Sequence, residues 1–455
     1  MAKVKEWLKN ILKEVKGKDI KKVSKKESSA FLASSLSSEA LETIRELSEL
    51  GPRPAATKDS RKAARKIANL FEAYSDDVTI SAAKMYPNLS RGFLLILSVV
   101  LLISFGFSLF KLPYLSLAII IVYLYGIIKE VKKENSFLRR FLSTNEGANV
   151  HATLEPEDVV LRTIIFSAHH DSAEIIEGKK KSIDLKSLLS LYIPFIALAS
   201  LGVFSLVELI SMIGTLSFLP GILKPLFIVF HSIILIVAEL SIFLYFKVGT
   251  SYSIGAGDNL SGVSVVVALL HYFSKKKESG EGLKNTRLIF VSFDGEECGA
   301  QGSAEWLKNN SHLFISPKLL NFDGLYKADQ LAFLTQDGNG MVTLDAKLAS
   351  KCSSLATLMG HKIPTGKLGM LGGETDAASA AIFGMPATTL TSMKPEVKTP
   401  AHTADDTPDK VEEGALKIAI AIGAKLAEDE DSTELQVETE KVSFLEEGKK
   451  YRLTK

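Results

Sequence analysis

Residues 163–172 read TIIFSAHHDS, an uncharged run from Thr163 to Ala168 that passes directly into His169, His170, Asp171 and Ser172. β-Branched and aromatic residues in an unbroken apolar run predict a strand covered on both faces, as in a parallel sheet. The polar cluster at its carboxyl end marks the rim where open α/β sheets bind their ligands. The pattern returns at Arg287 to Phe293 (RLIFVSF), which ends in Asp294, Gly295, Glu296 and Glu297, and at Lys318 to Phe322 (KLLNF), which ends in Asp323. A further run spans Ala387 to Thr391. Helical patterns separate them: Ser38 to Tyr74, broken by Gly51-Pro52-Arg53-Pro54; Leu260 to Ser274, behind an Asp258-Asn259 turn; and Asp409 to Leu426. Strands alternating with helices predict an α/β fold, a mixed and mostly parallel sheet flanked by helices.

The chain has 455 residues, 46% hydrophobic and 23% charged, and its mean hydropathy is +0.17. A positive hydropathy beside that many charges predicts segregation into polar and membrane-embedded parts. Four stretches read as spans in two hairpins: Gly92 to Phe110 with Leu112 to Ile128, and Ser187 to Gly214 with Pro225 to Phe246. A spanning helix needs about 20 mostly apolar residues, and buried core helices of this length rarely come in back-to-back pairs. Lys111 marks one turn and Lys224 the other. Arg91, Lys129, Lys132, Lys133, Arg139 and Arg140 flank the first hairpin; Lys179, Lys180, Lys181, Lys186 and Lys247 flank the second. Basic residues at span ends favour the cytoplasm. An integral membrane protein with its catalytic domain and both termini in the cytoplasm is the expectation.

This divides the chain into a basic N-terminal segment (1–38), a catalytic domain in three pieces (39–91, 129–186 and 248–428), hairpins at 92–128 and 187–247, and a charged tail (429–455). The opening MAKVKEWLKNILKEVKGKDIKK lacks the apolar core of a signal peptide. Its Val4, Trp7, Ile11 and Val15 predict either a basic amphipathic helix on a membrane surface or a solvated terminus. In the tail, Val442 to Leu445 suit an edge strand or a mobile segment. Glu208, His231 and Glu239 fall inside the second hairpin, where ionisable residues mark proton or substrate paths or bond between helices. A net charge of +2 gives no footing for nucleic acid. Two cysteines, Cys298 and Cys352, build no disulfide framework.

Singly, the polar signals are weak: a histidine at a strand end is commonly structural, and Asp258-Asn259 alone would pass as a helix cap. Together, imidazoles and carboxylates without cysteine are a donor set for hard and borderline divalent metals. Two metals sharing a carboxylate need about five ligand side chains.

In chain order, the motifs are His169-His170-Asp171-Ser172, Gly255-Ala256-Gly257-Asp258-Asn259-Leu260-Ser261-Gly262, Asp294-Gly295-Glu296-Glu297-Cys298-Gly299, Asn321-Phe322-Asp323 and His402-Thr403-Ala404-Asp405-Asp406-Thr407. This series resembles that of the co-catalytic zinc aminopeptidases, a family (clan MH) that also includes glutamate carboxypeptidase and the glutaminyl cyclases. LGPRPAATKDSRKAARKIANLF is similar to that family's opening helix, and Asn149 to Leu154 to its first central strand. The resemblance covers most of residues 39–428 outside the hairpins. It implies two zinc ions bridged by Asp258, with His169 and Asp323 on one and Glu297 and His402 on the other. It also implies Glu296 as general base. Asp171, two residues beyond His169 in an extended chain, faces the same way and suits a role orienting the imidazole. His170 and Cys298 are expected to be structural.

Two positions depart from the family. Ala401 stands where a tyrosine often precedes the last histidine, and Thr375-Asp376-Ala377 stands for its Ser-Asp-His segment, leaving Asp376 and Thr375 as substrate-pocket candidates. The resemblance implies a peptidase that removes N-terminal residues from peptides, and the hairpins place it at the cytoplasmic membrane face, with the lipid bilayer as its other partner. The alternatives are another amide hydrolase or carboxypeptidase of the same fold, a catalytically silent receptor or scaffold, and a transporter acting through Glu208, His231 and Glu239. No ligand position is lost, which counts against the scaffold.

Overall fold

The structure, a computed structural model, describes residues 35–134, 136–175, 185–212, 219–247, 251–338, 340–368, 373–394 and 397–433. The N-terminal amphipathic pattern, the lysines at 179–181 and the segment Val442 to Leu445 lie outside them.

Residues 35–48 form helix α1, and Lys58–Glu72 form α2, begun by a reciprocal cap between Thr57 and Ser60. The Gly51-to-Pro54 break separates them as expected. β1 (Val78–Met85) follows, an edge strand not anticipated from the sequence because its face alternates only weakly. Next come α3 (Leu89–Leu109) and α4 (Pro113–Val131), then β2 (Asn145–Leu154), β3 (Arg162–His169), α5 (Leu185–Met212) and α6 (Leu219–Lys247). The remainder runs α7 (Ser261–Glu278), β4 (Thr286–Phe293), α8 (Gln301–Asn310), β5 (Pro317–Asp323), β6 (Ala332–Asp337), β7 (Val342–Thr343) and α9 (Ala346–Leu358). It ends with β8 (Thr365–Lys367), α10 (Asp376–Ile382), β9 (Ala387–Thr391) and α11 (Glu413–Ser432). The last helix starts later than the predicted Asp409, since residues 408–410 form a tight turn behind Pro408.

Among the described residues nine strands form one sheet in the order β1-β2-β4-β3-β5-β9-β6-β7, with β8 against β6. Its centre, β4-β3-β5-β9, is parallel, and β1, β2, β6 and β7 add antiparallel pairings outside it. Strand alternation explains the apolar run in β3. Ile164, Phe166 and Ala168 pack with α7 and α11 on one face, and Ile165 packs with Trp306 and Ala377 on the other.

The four apolar helices pack into a separate bundle around Leu97, Leu101, Ile120, Tyr123, Leu201 and Ala238. All four are long and apolar enough to cross a membrane. Their outer faces expose Phe110, Ile121, Val203 and Ile236, each more than 60% accessible, a surface suited to lipid and costly in water. Lys111 does sit in a turn, in the left-handed region, whereas Lys224 lies within α6 ahead of Pro225.

Each bundle insertion leaves and re-enters the sheet domain through an antiparallel pair. Met85 faces Asn145 where α3 and α4 are spliced between β1 and β2. Glu174 bridges Tyr252 where α5 and α6 are spliced between β3 and α7, and Ile175 N donates to Ser251 O at 2.8 Å. Chain ends held side by side can accept a long insertion at little further entropic cost.

Arg53 ties this arrangement together. Its fully buried guanidinium donates to His170 O (2.8 Å), Gly51 O (2.8 Å), Ile254 O (2.7 Å) and Gly255 O (3.3 Å). Burial pulls its pKa down to about 10, with Asp171 and Asp406 opposing, so it keeps its charge at neutral pH. Replacing it strands buried carbonyls on both sides of the second insertion. Arg53→Met is expected to destabilise the protein by about 3 kcal/mol or more, read as a lower midpoint of thermal unfolding in detergent.

Candidate active site

The carboxyl ends of the parallel strands deliver the polar residues to one rim. His169 ends β3, Glu296 and Glu297 follow β4, and Asp323 ends β5. Asp258 precedes α7 across a cis peptide to Asn259, Asp376 opens α10, and His402 lies in the loop before α11. The loop around Asp258 is fixed from several sides. Asn259 Oδ1 accepts from Gly262 N, its amide donates to Phe322 O, and Asp406 accepts from Gly257 N (2.8 Å) and Asp258 N (3.2 Å).

Asp258 stands between the two histidines. Its Oδ1 is 3.3 Å from His169 Nε2, and its Oδ2 is 3.3 Å from His402 Nε2. Asp323 Oδ1 lies 3.5 Å and Glu296 Oε2 3.7 Å from His169 Nε2, while Glu297 Oε2 lies 3.6 Å from His402 Nε2. Three groups therefore offer donor atoms within 4.8 Å of one another: His169-Asp258-Asp323, Asp258-Glu297-His402 and His169-Glu296-Glu297. The first two share Asp258.

The electrostatics favour a cation here. His169 Nε2, Asp258 Oδ2, Glu297 Oε1 and Asp323 Oδ1 are buried without a hydrogen-bond partner, a costly condition that coordination relieves. Burial, against the pull of His402, pushes Glu297 up to about 8. Glu296 also rises well above the ordinary glutamate range, through burial and the neighbouring Glu297 and Asp323, with His169 opposing. Burial opposes ionisation of Asp258 too, but the two imidazoles hold its carboxyl far below the usual range. A bound divalent ion would reverse the upward shifts.

Asp171 accepts from Glu296 N (3.2 Å) and Glu297 N (3.1 Å), and its Oδ1 is 3.4 Å from His169 Nδ1. One carboxylate thus orients an imidazole and the backbone of both glutamates. His170 turns away as expected: its Nδ1 is 2.8 Å from Ser292 Oγ, and burial lowers its pKa to about 3. Cys298 Sγ donates to Gly295 O at 3.4 Å.

Other expectations fare differently. Thr375 donates to Asp337 Oδ2 at 2.6 Å and meets Thr389 Oγ1 at 2.7 Å, so its hydroxyl is committed to the interior rather than to a substrate pocket. Asp376 is wholly buried beside the cluster, its carboxyl raised to about 7 by burial and, against His169, by Asp323 and Asp171. Glu208, His231 and Glu239 sit in the bundle, away from this rim. His231 Nε2 is 3.1 Å from Ser200 Oγ, and Glu239 accepts from Ser98 Oγ at 2.5 Å, which is bonding between helices.

Sequence reading assigned no role to Arg53, Asp294, Asp406 or Tyr326. Asp294 accepts from Ala56 N, Ser60 Oγ and Ala148 N, fastening α2 and β2 under the glutamate loop. Tyr326 closes behind Gly257, where an added Cβ would stand 2.0 Å from the ring. Gly257→Ala is expected to displace Asp258 and weaken zinc binding by about tenfold or more. Zinc titration checks this, and the double variant with Tyr326→Ala should recover part of the loss.

Residues 244–427 match peptidase family M28. The match holds Asp258, Glu296, Glu297, Asp323 and His402 but begins in the last turn of α6, so His169 and Asp171 join the set through geometry alone. No curated protein matches the sequence. Among solved structures, the chain is similar to a glutaminyl cyclase of Bacteroides thetaiotaomicron bound to N-acetylhistamine, at 12% identity and a TM-score of 0.51 over 88% of this chain and 98% of that one. It is also similar to an aminopeptidase from Aneurinibacillus sp. strain AM-1 (15% identity, TM-score 0.49, 86% and 93% covered). A third is a Zn-dependent exopeptidase from Parabacteroides distasonis (12% identity, TM-score 0.49, 86% and 97% covered). At 12% identity the likeness to the first of these speaks for the fold alone. The family match over residues 244–427, with a buried imidazole–carboxylate set at the carboxyl rim of the sheet, supports a zinc metallopeptidase of the M28 type.

Proposed function

We propose that the chain is a membrane-anchored aminopeptidase holding two zinc ions, His169 and Asp323 on one, Glu297 and His402 on the other, and Asp258 between them. The observation that carries this reading is the placement of Asp258, whose two oxygens face the two histidines at equal 3.3 Å distances. When bound, the ions would lower the pKa of an attacking water and polarise the scissile carbonyl.

Glu296 is the proton carrier. It is buried and adjoins the donor set, its Oε2 3.7 Å from His169 Nε2. A carboxylate so placed can take a proton from water and return it to the leaving amine as the C–N bond breaks. Asp171 positions this base by holding the Glu296 and Glu297 amides, and holds His169 with Nε2 turned to the site.

Glu296→Gln should keep zinc content and melting temperature while lowering kcat by about 10²- to 10⁴-fold; full activity would refute the assignment. A panel of free and N-blocked peptides, with and without chelator, tests the exopeptidase reading. Chelator-sensitive loss of single residues from free N-termini supports it, and cleavage of blocked peptides favours another amide hydrolase.

The four apolar helices and the basic residues at their ends support a cytoplasmic catalytic domain. An even number of spans in each insertion returns the chain to the same side. A reporter fused after Lys455 should be active inside the cell, and activity outside alone would overturn the topology.

A further inference from the structure

The loop that carries Glu296 and Glu297 is gripped by the foot of the first apolar hairpin. Lys133, just beyond α4, donates to Gly299 O at 2.8 Å and pairs with Glu374 at 2.7 Å. Tyr86, just before α3, exchanges two hydrogen bonds with Gln301: its N donates to Oε1 at 2.9 Å, and its O accepts from Nε2 at 3.1 Å. Met85 packs against Gly295. The glutamate loop therefore sits directly over the point where the chain enters the bundle.

A cavity of about 290 Å³ opens between them. Glu297 and Ser172 line it together with Asn88, Arg91, Glu174 and Tyr252. Arg91 lies in the first turn of α3, immediately ahead of the apolar run, and is ion-paired with Glu174. Glu174 and Tyr252 form the bridge at the neck of the second hairpin. The feet of both hairpins thus contribute to the lining of the cavity that Glu297 also lines. Arginine and tyrosine at span ends occupy the headgroup level of a bilayer.

We propose that this cavity receives the N-terminal residues of peptides whose remainder lies in the membrane, so that the substrates are membrane-inserted peptides trimmed at the bilayer surface. The inference rests on the aminopeptidase reading and adds a distance to it. A sphere of the cavity's volume is about 8 Å across, two to three residues of extended chain. Residues that close to the bilayer can still reach the zinc ligands, and soluble peptides enter the same cavity without a membrane contribution.

The test uses the full chain, zinc-loaded and reconstituted in phosphatidylcholine vesicles, with two peptides. One is a soluble polar peptide with a free N-terminus. The other joins the same polar segment, about 15 residues long, to an apolar segment of about 20 residues that spans the bilayer. The polar segment is built only from residues that the enzyme removes from the soluble peptide, and mass spectrometry reads where trimming stops. Trimming to within about three residues of the apolar segment is expected. Arrest ten or so residues out, or trimming of the soluble peptide alone, overturns the inference and leaves the aminopeptidase intact. Cleavage of neither peptide refutes the aminopeptidase reading and this inference with it.

Discussion

The structure turns on a cluster of buried carboxyl groups. Asp171, Asp258, Glu296, Asp323, Asp376 and Asp406 are buried around His169, with Glu297 largely covered beside them. Isolated ionised carboxylates tolerate such burial only when paired or coordinated. Arg53 contributes one fixed positive charge from beneath, and the imidazoles contribute only when protonated. The remaining demand is for cations at the centre, where the unpartnered oxygens and the His169 nitrogen converge. Much of the surrounding polar scaffold has one purpose, to keep these groups from relaxing apart. Asp294, Asn259 and Asp406 each fasten a loop by its backbone amides or to a neighbouring strand.

Such a centre has to survive two long interruptions of the chain. Both insertions are spliced between residues that already pair in antiparallel fashion, Met85 with Asn145 and Glu174 with Tyr252. The ends of each insertion therefore stay close whatever the bundle does. The bundle in turn packs as a cluster of its own, linked by serine contacts such as Ser116 with Ser205 at 2.7 Å. The sheet domain and the apolar helices thus fold by different rules, meeting at the feet of the hairpins, where the glutamate loop is held.

Much of this was legible in the sequence. The strand runs ending in His169, Glu296–Glu297 and Asp323 stand where they were expected, because a strand buried on both faces is mostly apolar and its charged residues collect at its ends. The four long apolar helices were legible from length and composition. Less legible were β1, whose weak alternation reflects an edge position, and the start of α11, displaced by Pro408. The tie of Thr375 to Asp337, 38 residues away, was not legible either.

The sequence by itself determined the donor types, their order along the chain, the alternation that builds the sheet, and the positions of the four apolar helices. These are local properties, set by periodicity and by side-chain chemistry. Only the tertiary structure decided that Asp258 lies between His169 and His402, that Arg53 closes the gap to His170 across 117 residues, and that the hairpin feet wall the cavity beside Glu297. Contacts of that kind depend on how distant segments pack against one another, and no spacing within a segment encodes them.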